Sequence, residues 1–272
     1  MQRPLALAAL IATSLVSHGA DWTEYRGPRH DGSTGEKIAT SWPATGPKVL
    51  WKVPSNAGFS SFAVAGGRCF TQELRDSGGA MLETLVARDA NTGKELWTAA
   101  LGSMKTGDGG DDGTKENRGG DGPRSTPAVQ GGRVYTFSAK LVVQAFDAKT
   151  GKEVWKSDLA KDHAGRNISW QNAQSPVIED GRVFVAGGGA GESLLALDVK
   201  TGAPIWKPGD EKITHASPVL ATIHGVRQVV WFLQSGLVSV DPKTGTELWR
   251  HNFPYKVSTA ASPVVSGDLV YC

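Results

Sequence analysis

The side chains best equipped for chemistry crowd the stretch from residue 98 to 124, where Asp108, Asp111, Asp112, Glu116, Asn117 and Asp121 interrupt a Gly-rich run. Oxygen donors at that density suit a hard cation such as Ca²⁺, yet their spacing is not that of an EF-hand loop. Two readings stay open, a calcium-binding insertion and a solvated acidic loop. Four further residues stand just ahead of short apolar runs. Arg124, Asn172 and His215 could line the mouth of a ligand-binding channel, with Trp170 as a stacking platform. Ordinary loop packing and hydrogen bonding would account for them equally. Other catalytic signatures are missing. The six histidines show neither an HExxH motif nor paired spacing, and no GxSxG nucleophile elbow occurs. Cys69 and Cys272 form no CxxC pair and no disulfide framework.

The elements that must position these residues are legible from a repeated phrase. It reads ARDANTGKELW from Ala87, AFDAKTGKEVW from Ala145, ALDVKTGAPIW from Ala196 and SVDPKTGTELW from Ser239. A unit recurring at such intervals marks a repeat architecture. The second copy shows the whole unit: short Val- and aromatic-rich runs at Ser125–Val129, Arg133–Phe137, Leu141–Phe146 and Lys152–Trp155, separated by Gly turns. Four such runs predict an antiparallel meander. Asp at the last turn can accept backbone N–H bonds two residues on, and Gly supplies the positive φ. The unit starts again at Ser61, Ser175, Ser217 and Ser262, the last copy stopping at Cys272. The recurring first-strand hydroxyls are expected to stabilise turns, and the Ser-Pro strand to be a sheet edge. Lys48–Val53 looks like an isolated last strand that completes a final blade. Connections between second and third strands are expected to be longest at about 73–82 and 187–192, on the same face as the connections between units.

Composition narrows the rest. With a formal net charge of +2 over 272 residues, there is no basic footprint of a nucleic-acid binder. Residues 1–20 pair a basic start with a twelve-residue apolar run from Leu5 to Val16 and a small-residue end. That run is too short to span a bilayer and fits a secretory signal peptide. The expected organisation is a signal peptide (1–20), an irregular surface extension (21–45) and one domain (46–272), exported to the periplasm or secreted, with no transmembrane segment.

The four phrases and the Ser/Thr-Pro strands resemble the PQQ-like (quinoprotein) repeat family. The resemblance implies an all-β propeller of four-stranded blades: four complete, one partial, the front part of a seven- or eight-bladed ring. It also implies that the phrase is a docking motif whose Trp packs on the neighbouring blade. The docking residues would be Ala87, Gly93 and Trp97; Ala145, Gly151 and Trp155; Ala196, Gly202 and Trp206; and Ser239, Gly245 and Trp249. Non-enzymatic members bind or scaffold other proteins, one of them assisting outer-membrane protein assembly, whereas the dehydrogenases hold PQQ over calcium beside a vicinal Cys pair. This chain has no adjacent Cys pair, and no residue matches the family's calcium ligands or catalytic acid. The expected function is therefore an exported binding or scaffold module for a small molecule or another exported or outer-membrane protein. The alternative is a PQQ-dependent dehydrogenase acting on an alcohol or sugar.

Overall fold

Each Asp-x-x-Thr-Gly sequence folds into the same turn. In the second, the Asp147 carboxylate accepts from the backbone N–H groups of Lys149 (3.1 Å) and Thr150 (2.8 Å) and from the Thr150 hydroxyl (2.7 Å). The Thr150 hydroxyl bond, foremost, holds the Asp147 carboxyl below its usual range. Gly151 closes the turn at a φ of 73°, a conformation that costs a residue with a Cβ dearly. The turn joins the third and fourth strands of a meander, four of which appear in a computed structural model describing residues 20–104, 122–254 and 259–272.

The first sheet orders β1 (Ala63–Ala65), β2 (Arg68–Ser77), β3 (Ala80–Asp89) and β4 (Glu95–Ser103). The second contains β5 (Ala128–Gln130), β6 (Arg133–Phe137), β7 (Val142–Asp147) and β8 (Glu153–Asp158), followed by the single turn of helix α1 (Leu159–Asp162). The third contains β9 (Val177–Glu179), β10 (Arg182–Ala186), β11 (Leu194–Asp198) and β12 (Pro204–Trp206). The fourth contains β13 (Val219–Ile223), β14 (Val226–Leu233), β15 (Gly236–Val240) and β16 (Glu247–Asn252), and β17 (Val264–Ser266) pairs with β18 (Leu269–Tyr271) in a fifth. All pairings are antiparallel between sequence neighbours, the arrangement of propeller blades. In the four complete blades the first residue of the phrase stands opposite its Trp: Ala87 to Trp97, Ala145 to Trp155, Ala196 to Trp206, Ser239 to Trp249. A small residue there leaves room for the indole, and the ladder shifts register one step later in every copy.

The indoles link one blade to the next. Trp97 donates from Nε1 to the Ala148 carbonyl (3.2 Å), Trp155 to Val199 (2.9 Å) and Trp206 to Pro242 (3.1 Å). Each ring covers the next turn glycine so closely that a Cβ on Gly151, Gly202 or Gly245 would lie 2.5–2.8 Å from it. Trp51 makes the same contact with Gly93 and donates to Ala90 (2.9 Å). The expected strand at 48–53 is absent, because no described strand lies beside it to pair with; its tryptophan nevertheless occupies a docking seat. Trp249 donates instead to Gln228 Oε1 of its own blade.

A second connection runs round the centre. The backbone N–H of Ser61 donates to the Thr126 hydroxyl (3.1 Å), Thr126 to Ser175 (2.9 Å), Ser175 to Ser217 (2.8 Å) and Ser217 to Ser262 (2.9 Å). These hydroxyls are not turn stabilisers, as their position in sequence implied. They replace the ladder bonds that innermost edge strands of different blades cannot make with each other.

Two further expectations change. Residues 73–82 are no loop but the stem of a long β2–β3 hairpin, turned by Gly78 and Gly79 at φ 68° and 90°. The N-terminal extension is only partly on the surface. Trp22 bridges to Val64, Thr23 accepts from the Val129 N–H, Arg26 donates to the Pro263 carbonyl, and Glu24 and His30 are buried. Residues 22–30 thus form a strap across the innermost strands, while 31–45 lie exposed. The signal peptide expected at residues 1–20 falls, but for Ala20, outside the described residues, as do residues 105–121 of the acidic stretch.

Candidate functional site

The four residues singled out for ligand binding converge on one segment, residues 170–172, between α1 and β9. Trp170 and Gln171 both have left-handed backbones, at φ 66° and 62°. For bulky residues this is a strained setting that persists only where surroundings impose it. The surroundings are visible. Arg124 Nη1 donates to the Trp170 carbonyl (3.2 Å). His215 Nε2 lies 2.9 Å from the Gln171 carbonyl and, since a carbonyl only accepts, carries the proton. Gln171 N–H donates to Ile168 and its side-chain amide to Met104 (2.8 Å). Asn172 is buried and ties to blade two, through its N–H to Ala139 and its Nδ2 to Ser138. Burial, above all, holds the His215 imidazole below its ordinary pKa; the bond to the Gln171 carbonyl opposes this, and the nearby Arg124 charge adds to it.

The result is a presented indole. Trp170 is 60% exposed although its carbonyl and that of Gln171 are held by Arg124 and His215. It forms one wall of an open groove of about 840 Å³, a volume within the range of small-molecule sites. The other walls are residues 166–169, the β10–β11 loop at 188–190, the β12–β13 connection at 210–213, and Gln234. The β10–β11 loop is fixed tightly. A Cβ on Gly188 would sit 1.8 Å from the Glu192 carbonyl oxygen, and Glu192 bridges His163 Nδ1 (2.8 Å) and Lys207 Nζ (2.7 Å). Glu211 is engaged by Arg250 (3.0 Å) and the Ser235 hydroxyl. Arg166, Ser169, Asp210 and Lys212 have no side-chain partner among the described residues and line the groove.

Arg124 and His215 also line a smaller cavity of about 230 Å³ beside the innermost strands, with Phe59, Tyr25, Ser61 and the belt hydroxyls of Thr126, Ser175, Ser217 and Ser262. The Arg124 guanidinium stacks 5.8 Å above Phe59. Among the described residues no carboxylate lines this cavity, and no three His, Cys, Asp or Glu side chains come together in a metal-binding group. The described residues therefore do not fit a quinone held over a metal ion, and no chemical step follows from one.

Sequence reasoning missed Arg166, Asp210 and Lys212. The only signal was the charged run Asp210-Glu211-Lys212 after the turn residues Pro208-Gly209, in a connection whose shortness made it look unremarkable. It also missed Glu83, where burial raises the carboxyl pKa to about 7, the Ala139 N–H bonds one oxygen (3.1 Å) and the other is unpartnered.

Comparison with known proteins gives a consistent family. A family model described as outer membrane protein assembly factor BamB matches residues 82–272. Curated relatives include the quinohemoprotein alcohol dehydrogenase ADH-IIG of Pseudomonas putida, 30% identical over 143 residues. That match covers 47% of this chain and 19% of the relative. The dehydrogenase subunit of a quinone-dependent alcohol dehydrogenase from Komagataeibacter europaeus is 35% identical over 131 residues, covering 44% and 16%. The matches thus span less than a fifth of the relatives' length in the second case and about a fifth in the first. Among solved structures, BamB from Moraxella catarrhalis superposes with a TM-score of 0.51 at 20% identity, covering 75% of this chain and 51% of that one. Quinohemoprotein alcohol dehydrogenase from Comamonas testosteroni gives 0.55 at 16% identity, covering 78% and 38%. At such identities the superpositions speak to the fold. No helix among the described residues is long and apolar enough to cross a membrane.

Proposed function

We propose that this chain, which belongs to the PQQ-like repeat family of β-propellers, is a binding or scaffold module whose binding surface is the groove beside Trp170. The observation that carries this reading is the clamped presentation of one exposed indole above polar side chains with no side-chain partner among the described residues. Burying an exposed aromatic against a partner is a common source of binding energy. Arg124, Asn172 and His215 then act as positioning residues that hold Trp170 in place, not as ligand contacts. Export to the periplasm or beyond is part of the proposal and rests on the apolar run at Leu5–Val16. The test is a screen of peptides, oligosaccharides and small aromatic acids against the full chain. Any ligand found is expected to lose affinity in Trp170→Ala; ligands indifferent to that change would refute the groove as the binding surface.

A second reading, a PQQ-dependent dehydrogenase, is favoured by the identity to the Pseudomonas putida and Komagataeibacter europaeus alcohol dehydrogenases. Adding PQQ and Ca²⁺ to the full chain with ethanol or glucose and an electron-accepting dye separates the two. The binding-module reading expects neither saturable PQQ binding nor dye reduction. Both together would establish the enzyme.

A further inference from the structure

The groove's residues restrict what it can hold. Ile168, Ile213 and the Trp170 ring give it apolar lining beside its polar groups. Among the described residues, its charges without a side-chain partner carry both signs: Arg166 and Lys212 against Asp210. An anionic ligand would meet an uncompensated Asp210 carboxylate, and a cationic one would meet two cations. Like charges brought together in a partly desolvated site oppose binding. A neutral ligand that donates and accepts hydrogen bonds suits all three. Its hydroxyl protons go to Asp210, which only accepts, and its oxygens take N–H bonds from Arg166 and Lys212, which only donate. It must also offer a flat apolar face to the indole.

Those requirements together describe a pyranose ring: C–H groups on one face, hydroxyls around the rim. We infer that the groove binds a neutral saccharide, with one sugar ring stacked on Trp170 and its hydroxyls held by Asp210, Arg166 and Lys212. This inference rests on the groove being a binding surface and goes further by naming the ligand class. The site lies beside the smaller cavity, separated from it by the 170–172 segment whose carbonyls Arg124 and His215 grip. The strain in that segment acquires a use: a ring already aimed outward loses little freedom on stacking, so more of the contact energy appears as affinity. The groove holds about 840 Å³, room for further rings of an oligosaccharide beside the one stacked on Trp170.

The experiment is calorimetric titration of the full chain with four neutral hexasaccharides, those of glucose in β-1,4 and α-1,4 linkage, of mannose, and of N-acetylglucosamine. At least one is expected to bind saturably below about 10 mM, the weak end of specific recognition. Trp170→Ala should weaken binding by on the order of ten-fold or more, as loss of a stacking anchor does. Because Trp170 is mostly exposed, that variant should keep its melting temperature. Asp210→Asn should weaken binding while Trp42→Ala, at an exposed indole outside the groove, leaves it unchanged. Failure of all four sugars, or binding untouched by Trp170→Ala, overturns the saccharide assignment. Trp170-dependent binding of a peptide or of a benzene tricarboxylate, with no sugar bound, overturns it too, yet leaves the binding-module reading standing.

Discussion

Trp155 is 8% exposed and Trp170 is 60% exposed, and the difference begins in their neighbours. Trp155 stands opposite Ala145, packs 6.0 Å from the Tyr135 ring and covers Gly202 of the next blade. Trp155→Ala removes a side chain shared by two blades and should cost roughly 3–5 kcal/mol, the usual range for emptying an aromatic core site. Thermal unfolding measures it; a melting temperature equal to the parent's would show that the ring holds nothing. The docking indoles were legible because their spacing from Asp and Gly never varies. Trp170 could be noticed as an aromatic near a strand start, but nothing in Ser169-Trp170-Gln171 announces two left-handed residues. The roles of Arg124 and His215 were hidden for the same reason: a side chain that grips another loop's carbonyl leaves no trace in its own neighbourhood of sequence.

Among the elements, the meanders were readable and the strap was not. Alternating apolar runs and Gly turns fix a hairpin locally, whereas residues 22–30 have no periodicity and gain their structure from blades they cross. Even the β2–β3 stem was misread, since Glu73, Arg75, Glu83 and the Gly pair look like a polar loop until Arg75 is seen paired with Glu73 and Glu95. The strap carries a pH dependence. Burial, above all, raises the Glu24 pKa to about 8, although the Ile178 N–H bond opposes this. Such a group is neutral in the folded protein, so its stabilising contribution is complete below the unfolded pKa of about 4.5 and is lost as pH rises toward 8. His30 works the other way, burial lowering its pKa to about 4, so its contribution falls as pH drops from 6.5. Above pH 6.5 the two no longer oppose each other. Between pH 7 and 8, above the Glu83 value of about 7 as well, the parent should therefore lose stability, at up to about 1.4 kcal/mol per pH unit from Glu24, and Glu24→Gln should flatten that slope. Urea unfolding at several pH values checks this, and parallel slopes for the two proteins would contradict it.

At the scale of the whole molecule, blades are joined by two bonds of a kind, an indole near the turns and a hydroxyl at the innermost strands. A structure in which each unit touches only its neighbours has a stability close to a sum of unit and interface terms. Cutting the belt once should then act locally. Ser175→Ala leaves the buried Thr126 N–H without its acceptor and should cost about 1–3 kcal/mol, whereas Ser175→Thr keeps the hydroxyl and should recover most of it. Equal midpoints for the Ala variant and the parent in urea would remove the belt as a source of stability. Both bonds also share a direction: the indoles of the first three blades and the N–H groups of the belt reach for the turn and the hydroxyl of the blade that follows in sequence. A ribosome makes the donor first. At about 5–20 residues per second, each finished blade waits seconds for its receptor to be synthesised, exposing a tryptophan at the growing edge meanwhile. Growth of the ring is thus polar, with one sticky end that moves along the chain as it emerges, and a pause in translation between Trp97 and Gly151 would prolong the interval in which that end can capture the wrong partner.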